Sequence, residues 1–390
     1  MQILLLLTDA YGGHGGIAKF NRDLMRALAR CPQVERIFAW PRLPPASPVE
    51  PIEKKVMYDW AFAGGKPKYV FKALSHAVRP IAIDLVICGH VNLLPVAWFV
   101  AKLRGSPLAL VIHGVDAWTP TRNPITNWLT SRVDAVLSVS RHTLAKFCGW
   151  SRAAAEQATI LPNCVDLSVF TPGEKDRELE RRYGLKGAKV VMTLGRLEPR
   201  DRYKGFDEVI ELLPRLAERF PDVKYLVVGG GLDRERLERK ALDFDVADRV
   251  VFAGQILERQ KVAHYRLADA FVMTSAGEGF GIVLIEAAAC GLPVVGSNAD
   301  GSQEALQGGR LGALVNPRSP DELFAAVSAA LEGGLPRVRP QGIEGFSVEA
   351  FDARVAAWID GLEIRAAGEF GGRANADEKA LNAKAQIASR

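Results

Sequence analysis

Glu278-Gly-Phe-Gly-Ile-Val-Leu-Ile-Glu286 decides the reading of this chain. Two carboxylates stand eight positions apart, and only the first lies in a glycine-bearing turn. The apolar run from Ile282 to Cys290 reads as the opening of a buried helix, and Ala270-Phe-Val-Met-Thr-Ser275 before it as a buried strand. Strand, glycine turn and helix in that order put Glu278 and the amides of Phe280 and Gly281 at the carboxyl edge of a parallel sheet, where open α/β sheets take ligands. Glu286 falls about two turns into the helix at roughly 1.5 Å per residue, so the carboxylates should meet points on the order of 10 Å apart on an extended ligand. The competing reading is a glycine loop with a helix-capping glutamate. This segment alone does not separate the two.

Outward from it, the same alternation recurs along the chain. Strand-like runs are Ile3–Leu7, Arg36–Trp40, Leu85–Cys88, Leu108–His113 and Ala135–Ser140, then Val190–Leu194, Tyr225–Val228, Val250–Phe252, Phe271–Thr274 and Val294–Val295. Each is short and apolar, as strands covered on both faces are. A helix is expected from Gly16 to Arg30, with Ile17, Phe20, Leu24 and Leu28 on one face. Others fall near 206–220, 233–243 and 259–268, and Pro214 should bend or break the first of these three. The pattern predicts two facing, doubly wound, Rossmann-like α/β domains with a cleft between them. We expect residues 1–170 to form the first and 171–345 the second. Residues 346–365 read as a helix packing back across the domains, and 366–390 as a disordered tail.

Bulk properties set few limits. Of 390 residues, 48% are hydrophobic and 24% charged, ordinary globular values that need no disulfide or metal to complete a core. The five cysteines show neither close pairing nor metal-ligand spacing, which points to a reducing, cytoplasmic compartment. The opening Met1-Gln-Ile-Leu-Leu-Leu-Leu7 lacks a basic leader and reads as a strand, and no run approaches the ~20 apolar residues of a membrane span. Residues 1–172 carry 19 Lys and Arg against 11 Asp and Glu, so the first half is basic and suits an anionic partner.

Three further constellations bear on chemistry. Tyr11-Gly-Gly-His-Gly-Gly16 follows the first strand and opens a helix, a place where amides approach an anion. The second strand ends in Ala39-Trp-Pro41, without the acidic residue that would hold an adenine ribose, which disfavours hydride transfer. Arg196 and Lys204 project from the carboxyl edge that carries Glu278, and two such cations suit a diphosphate leaving group. The alternative pairs them with Glu198, Asp201 or Asp207. His113 ends a strand at the cleft of the first half, either as a site residue or as a satisfied core histidine. A nucleotide sugar, with ribose at one end and hexose at the other, has the length these positions imply.

Together these pieces resemble family 4 glycosyltransferases of the two-domain GT-B type. The matching residues are Gly195-Arg196, Lys204-Gly205, Gly277-Glu-Gly-Phe-Gly281 with Glu286, Ala289-Cys-Gly-Leu-Pro293 and Gly301-Ser-Gln-Glu304; the first half adds Gly12–Gly16, His113-Gly114 and Asn163-Cys-Val-Asp166. The resemblance implies that Glu286 binds the donor ribose. Glu278, with Gly279, Phe280, Gly281 and Ile282, would clamp the donor sugar. Arg196 and Lys204 would hold the diphosphate together with Gly13, Gly15 and Gly16, and Gln255 and Ile256 would meet the base. His113 would lie near the transferred hexose. It also implies retention of anomeric configuration and no metal or cofactor, with a front-face attack by the acceptor.

The expected reaction moves a hexose from a UDP- or GDP-linked donor to a glycan or lipid-linked glycan, with no nucleic-acid partner. The rivals are a nucleotide-sugar epimerase of the same fold and a non-catalytic nucleotide-sugar-binding protein. Finally, Lys54, Lys55, Lys66, Lys68 and Lys72 interleave with Tyr58, Trp60, Phe62, Tyr69 and Phe71. That pattern suggests peripheral docking on an anionic membrane; the bland alternative makes the aromatics core.

Overall fold

A computed structural model describes residues 1–46, 51–151, 153, 155–333 and 337–362; the tail expected at 366–390 lies outside them. Thirteen strands among the described residues form two all-parallel sheets. In the first half these are β1 (Gln2–Leu7), β2 (Arg36–Pro41), β3 (Val56–Tyr58), β4 (Leu85–Cys88), β5 (Leu108–Ile112), β6 (Ala135–Ser138) and β7 (Ala158–Ile160). They lie in the order β3-β2-β1-β4-β5-β6-β7. The second half holds β8 (Lys189–Leu194), β9 (Val223–Val228), β10 (Val250–Gly254), β11 (Ala270–Met273), β12 (Val294–Ser297) and β13 (Ala313–Val315), ordered β10-β9-β8-β11-β12-β13. The strand order reverses between β1 and β4 in one sheet and between β8 and β11 in the other. Those reversals open crevices at the strands' carboxyl ends.

Burial explains the parallel layout. Every residue of β4, β5, β6, β11 and β12 is buried, so both faces of each sheet must be covered by helices. On the helix Gly16–Arg30, Phe20, Leu24 and Leu28 are buried as the periodicity requires. One apolar cluster crosses from the first sheet to the second through Cys164, Val165, Phe170, Phe280 and Phe346. The chain then returns to the first half as a helix over 348–362. There Asp352 pairs with Arg30 at 2.6 Å, Gln33 donates to Asp360 at 2.6 Å, and Phe351 meets Phe20 edge-on at 5.9 Å.

Two sequence expectations need correcting. Of the bend or break expected at Pro214, the break does not occur: the helix Phe206–Arg219 runs through the proline, with Val209, Ile210, Leu212, Leu213 and Leu216 buried on both sides of it. The aromatic band proposed as a membrane face is largely interior. Phe62 and Tyr69 are buried, Phe62 stacks on Trp40 at 4.4 Å, and Tyr58 and Trp60 pack on each other at 4.5 Å. Lys55 donates to the carbonyls of Cys31 and Val34, and Lys72 lies over the Phe62 ring. Of the five aromatics only Phe71 stands well out into solvent, at 76% exposure. No helix among the described residues is long and apolar enough to cross a membrane.

Candidate active site

The β8 and β11 loops form one side of the site. Gly205 adopts φ 87°, and a Cβ there would come within 2.8 Å of the Thr274 hydroxyl, so only glycine lets the Pro199–Lys204 turn lie against the end of β11. That approach delivers Lys204 to Glu278, and their charged groups form a largely buried ion pair. Burial, the largest single effect, lowers the lysine's pKa, but the Glu278 carboxylate, Tyr203 and Asp201 together outweigh it and the net shift is upward. The Glu278 loop is shaped from below by Asp300, which is buried. Its carboxylate accepts from the Glu278 amide at 2.8 Å, the Ser275 hydroxyl at 2.6 Å and the Ser302 amide at 3.0 Å. Burial raises the Asp300 pKa, and these donors oppose the shift. Arg196 behaves differently: its side chain is 54% exposed and pairs with Asp201 at 2.9 Å, one of the partners its surface-cation reading named.

Gly281, at φ 92°, starts the helix Ile282–Ala289 and directs Glu286 into the interior. Glu286 is fully buried, accepting from the Tyr265 hydroxyl at 2.8 Å and from the Lys261 ammonium at 3.2 and 3.3 Å. Lys261 also pairs with Glu258 at 2.9 Å. Burial pushes the Glu286 pKa up, while Lys261 and then Lys19 of the first half pull it down. Lys19 is itself tied to Asp23 at 2.7 Å and to the Cys164 carbonyl at 3.0 Å. A carboxylate held this way has its oxygens fixed in direction by a hydroxyl and an ammonium.

The first half closes over this loop from the other side. A Cβ added at Gly279 would run into the His113 carbonyl oxygen and the Cα of Gly114, so these two segments touch backbone to backbone. The Gly279 carbonyl accepts from Ser140 Oγ at 2.5 Å and Thr143 Oγ1 at 3.3 Å. Glu304 reaches back to the His142 amide at 2.9 Å. Gly16, at the start of the first helix, lies against Ile282, so the helix amino ends of both halves converge. His113 contacts the Gly89 carbonyl through Nε2 at 2.9 Å; a carbonyl only accepts, so Nε2 carries the proton and Nδ1 is left as the ring's acceptor. Burial lowers its pKa to about 4, which keeps the ring neutral.

The structure thus gathers His113, Lys204, Glu278, Gly279, Gly16 and Ile282 about one junction, with Phe280 and Glu286 on the inner side of the same loop and helix. Gly13 and Gly15 lie in the preceding turn, and Gly15 takes φ 89°. Gln255 and Ile256 follow β10, with Gln255 approaching Gly230, on the flank of the sheet beyond β9. Sequence reading missed Lys261, Tyr265, Asp300, Ser140 and Thr143. Asp300 could have been found, since it immediately precedes the Gly301-Ser-Gln-Glu304 motif; the others carry no local signal.

Two facing parallel α/β domains with a nucleotide-type crevice define the GT-B class of glycosyltransferase. The family model "Glycosyl transferases group 1" matches residues 175–341, and "Glycosyltransferase Family 4" matches residues 14–169. Between them they take in most of the chain, which belongs to family 4 of the glycosyltransferases. A GDP-mannose-dependent alpha-(1-6)-phosphatidylinositol monomannoside mannosyltransferase of Mycolicibacterium smegmatis is 40% identical over 208 residues, 51% of this chain and 53% of that protein. The Mycobacterium tuberculosis protein of the same description is 35% identical over 243 residues, 59% of this chain and 62% of its own length. The matches therefore span between half and two thirds of these relatives. Among solved structures, Anabaena HepE in complex with UDP-glucose superposes with a TM-score of 0.73 at 22% identity, covering 93% of this chain and 100% of that one. Sucrose-phosphate synthase from Thermosynechococcus elongatus gives 0.70 at 22% identity, covering 94% and 99%. These two share the fold.

Proposed function

We propose that this protein transfers a hexose from a nucleoside diphosphate sugar to a hydroxyl of a glycan or lipid-linked glycan, with retention of anomeric configuration and without a metal ion. The observation that carries the reading is the buried Lys204–Glu278 pair at the carboxyl edge of the second sheet, with the buried carboxylate of Glu286 on the helix that follows. In this reading Glu286 receives the ribose hydroxyls and Glu278 a hydroxyl of the donor hexose. Lys204 faces the diphosphate. Arg196 joins it by leaving Asp201, and its half-exposed side chain is free to swing. These cations supply the charge that a metal would otherwise bring to the leaving group. The acceptor oxygen bonds to the anomeric carbon on the face from which the phosphate oxygen departs, and the acceptor's proton passes to that phosphate oxygen. Neutral His113 offers Nδ1 to a hydroxyl of the hexose.

The relatives' described activities make GDP-mannose and a lipid-linked mannoside the first pair to try. A cytoplasmic, membrane-peripheral setting suits such an acceptor. It is supported by the five unpaired cysteines, and by Val70 and Phe71 standing out beside Lys66 and Lys68 on one helix. The test is incubation with GDP-mannose and with UDP-glucose, following nucleoside diphosphate release and the anomeric configuration of the product. Release with an α-linked product from an α-linked donor supports the reading. An epimerised nucleotide sugar would favour the isomerase, and no thermal shift with any nucleoside diphosphate would refute the donor site.

A further inference from the structure

At the carboxyl ends of β4 and β5, beside His113, stand two side chains that the reaction described above does not use. His90 follows Gly89, whose carbonyl binds His113, and Asp116 stands two residues after Gly114, whose backbone meets Gly279 across the cleft. His90 Nε2 lies 3.9 Å from Asp116 Oδ2, too far for a direct hydrogen bond. The donor and acceptor roles are fixed. The Asn92 amide donates to His90 Nδ1 at 3.1 Å, so that nitrogen bears no proton and a neutral ring carries it on Nε2. His90 is held neutral: burial lowers its pKa to about 4, helped by the charge of Arg42. Asp116 Oδ2 is an acceptor without a hydrogen-bond partner. A ring N–H and a carboxyl oxygen without a hydrogen-bond partner therefore lie either side of one gap, too far apart to bond to each other directly.

One group satisfies both at once. A hydroxyl accepts one hydrogen bond and donates another, and an oxygen about 2.8 Å from each atom spans a gap of this width. The side chains keep 12% and 13% of their exposure, so neither is sealed from solvent, although the Asp116 Oδ2 atom itself is buried in this conformation. Rotation about the broad terminal torsion of the carboxyl turns Oδ2 toward an incoming group.

We propose that His90 and Asp116 form a binding pair for one hydroxyl of the acceptor sugar, fixing its orientation beneath the donor hexose. The assignment rests on the glycosyl-transfer reading, and the experiment separates the two. The probes are GDP-mannose as donor and methyl α-mannoside as a minimal acceptor, with the full chain. Donor hydrolysis without acceptor reports the donor site alone. Transfer reports both sites, and saturation-transfer NMR of methyl α-mannoside reports acceptor binding without chemistry.

Asp116→Leu removes the acceptor oxygen at similar volume, and Asp116→Asn keeps one. The expected result for Asp116→Leu is a ten- to hundredfold rise in acceptor KM, the range for leaving a polar group in the site without its hydrogen-bond partner. Donor hydrolysis should stay within twofold and the NMR signal should disappear, with Asp116→Asn recovering much of the loss. His90→Phe should copy Asp116→Leu, and His90→Gln should be milder because it keeps a donor. Unchanged acceptor KM and NMR signal in Asp116→Leu would overturn the pair and leave it a site for one internal water. Hydrolysis falling in step with transfer would also overturn it, placing the residues in the donor site or the scaffold. A wild type that binds methyl α-mannoside through Asp116 yet consumes no nucleotide sugar would retain the pair and sink the transferase reading.

Discussion

The Lys204–Glu278 pair can be tested by a double-mutant cycle that separates a structural role from a chemical one. The perturbations are Lys204→Met, Glu278→Gln and both together. Removing one member of a buried pair costs ~3–5 kcal/mol, because the survivor is left charged and unpaired. Here the side chains retain 13% and 17% of their exposure, so water relieves part of that cost. We expect about 2–3 kcal/mol from Lys204→Met, and less from Glu278→Gln, which leaves the ammonium near Tyr203 and Asp201. The double variant leaves neither charge behind and should recover most of the stability. Turnover should not recover. A lost transition-state donor costs on the order of 10²–10³-fold, and the double variant lacks both the diphosphate cation and the sugar clamp. Urea unfolding gives the stability arm, and transfer from GDP-mannose gives the activity arm. A double variant that regains activity together with stability would show that the pair is scaffolding, and the proposed roles of both residues would fall.

Other outcomes follow from the same site. Glu286→Gln keeps an acceptor for Tyr265 but removes the charge, so it should weaken nucleoside diphosphate binding by about ten- to a hundredfold, read by calorimetry; an unchanged Kd would remove Glu286 from the ribose site. Arg196→Ala should weaken nucleoside diphosphate more than nucleoside monophosphate, and equal losses would leave its Asp201 pairing as its only role. Transfer should survive EDTA; inactivation reversed by magnesium or manganese would contradict the cation clamp. Stability should fall between pH 6.5 and about pH 4. His113 and His90 have folded values near 4 against 6.5 unfolded, so the unfolded chain takes up protons first as pH drops. Asp116, raised to about 7 by burial, holds its proton in the folded state and opposes them, so among these three groups the net contribution is that of one histidine, about 3 kcal/mol. His113→Asn should shrink the drop in urea midpoint between pH 7 and pH 4.5, and an equal drop in the variant would refute the assignment.

What could be read from the sequence was what repeats locally. The cores of β1, β4, β5 and β11 are apolar runs bounded by glycine or polar residues, and their order alone implied a parallel sheet. Three strands escaped: β3, β7 and β13 are three-residue edge strands, too short for any periodicity to register. Glu278, Glu286 and Lys204 stood out because glycines flank them or open their helix. Lys261 and Tyr265 did not, since their meaning lies in what they touch, 25 and 21 residues further along. Phe62 and Tyr69 misled because alternation with lysines looks alike whether the rings face water or the core. Pro214 misled because a local rule met a helix already fastened by five buried neighbours.

The contact between Gly279 and His113-Gly114 also bears on how such chains can be recombined. The loop that carries Glu278 has its carbonyl anchored by Ser140 and Thr143, which belong to the other half, while Glu304 returns the favour at the His142 amide. Neither half therefore contains all the instructions for the donor loop. Exchanging second halves between family members would bring a new Glu278 segment against foreign seats. A working hybrid needs Ser140, Thr143 and a glycine at 114 supplied by the host, whichever sugar the incoming half was built to hold. The joint is in effect a key cut on both edges, and it restricts which modules can be shuffled before any question of substrate arises.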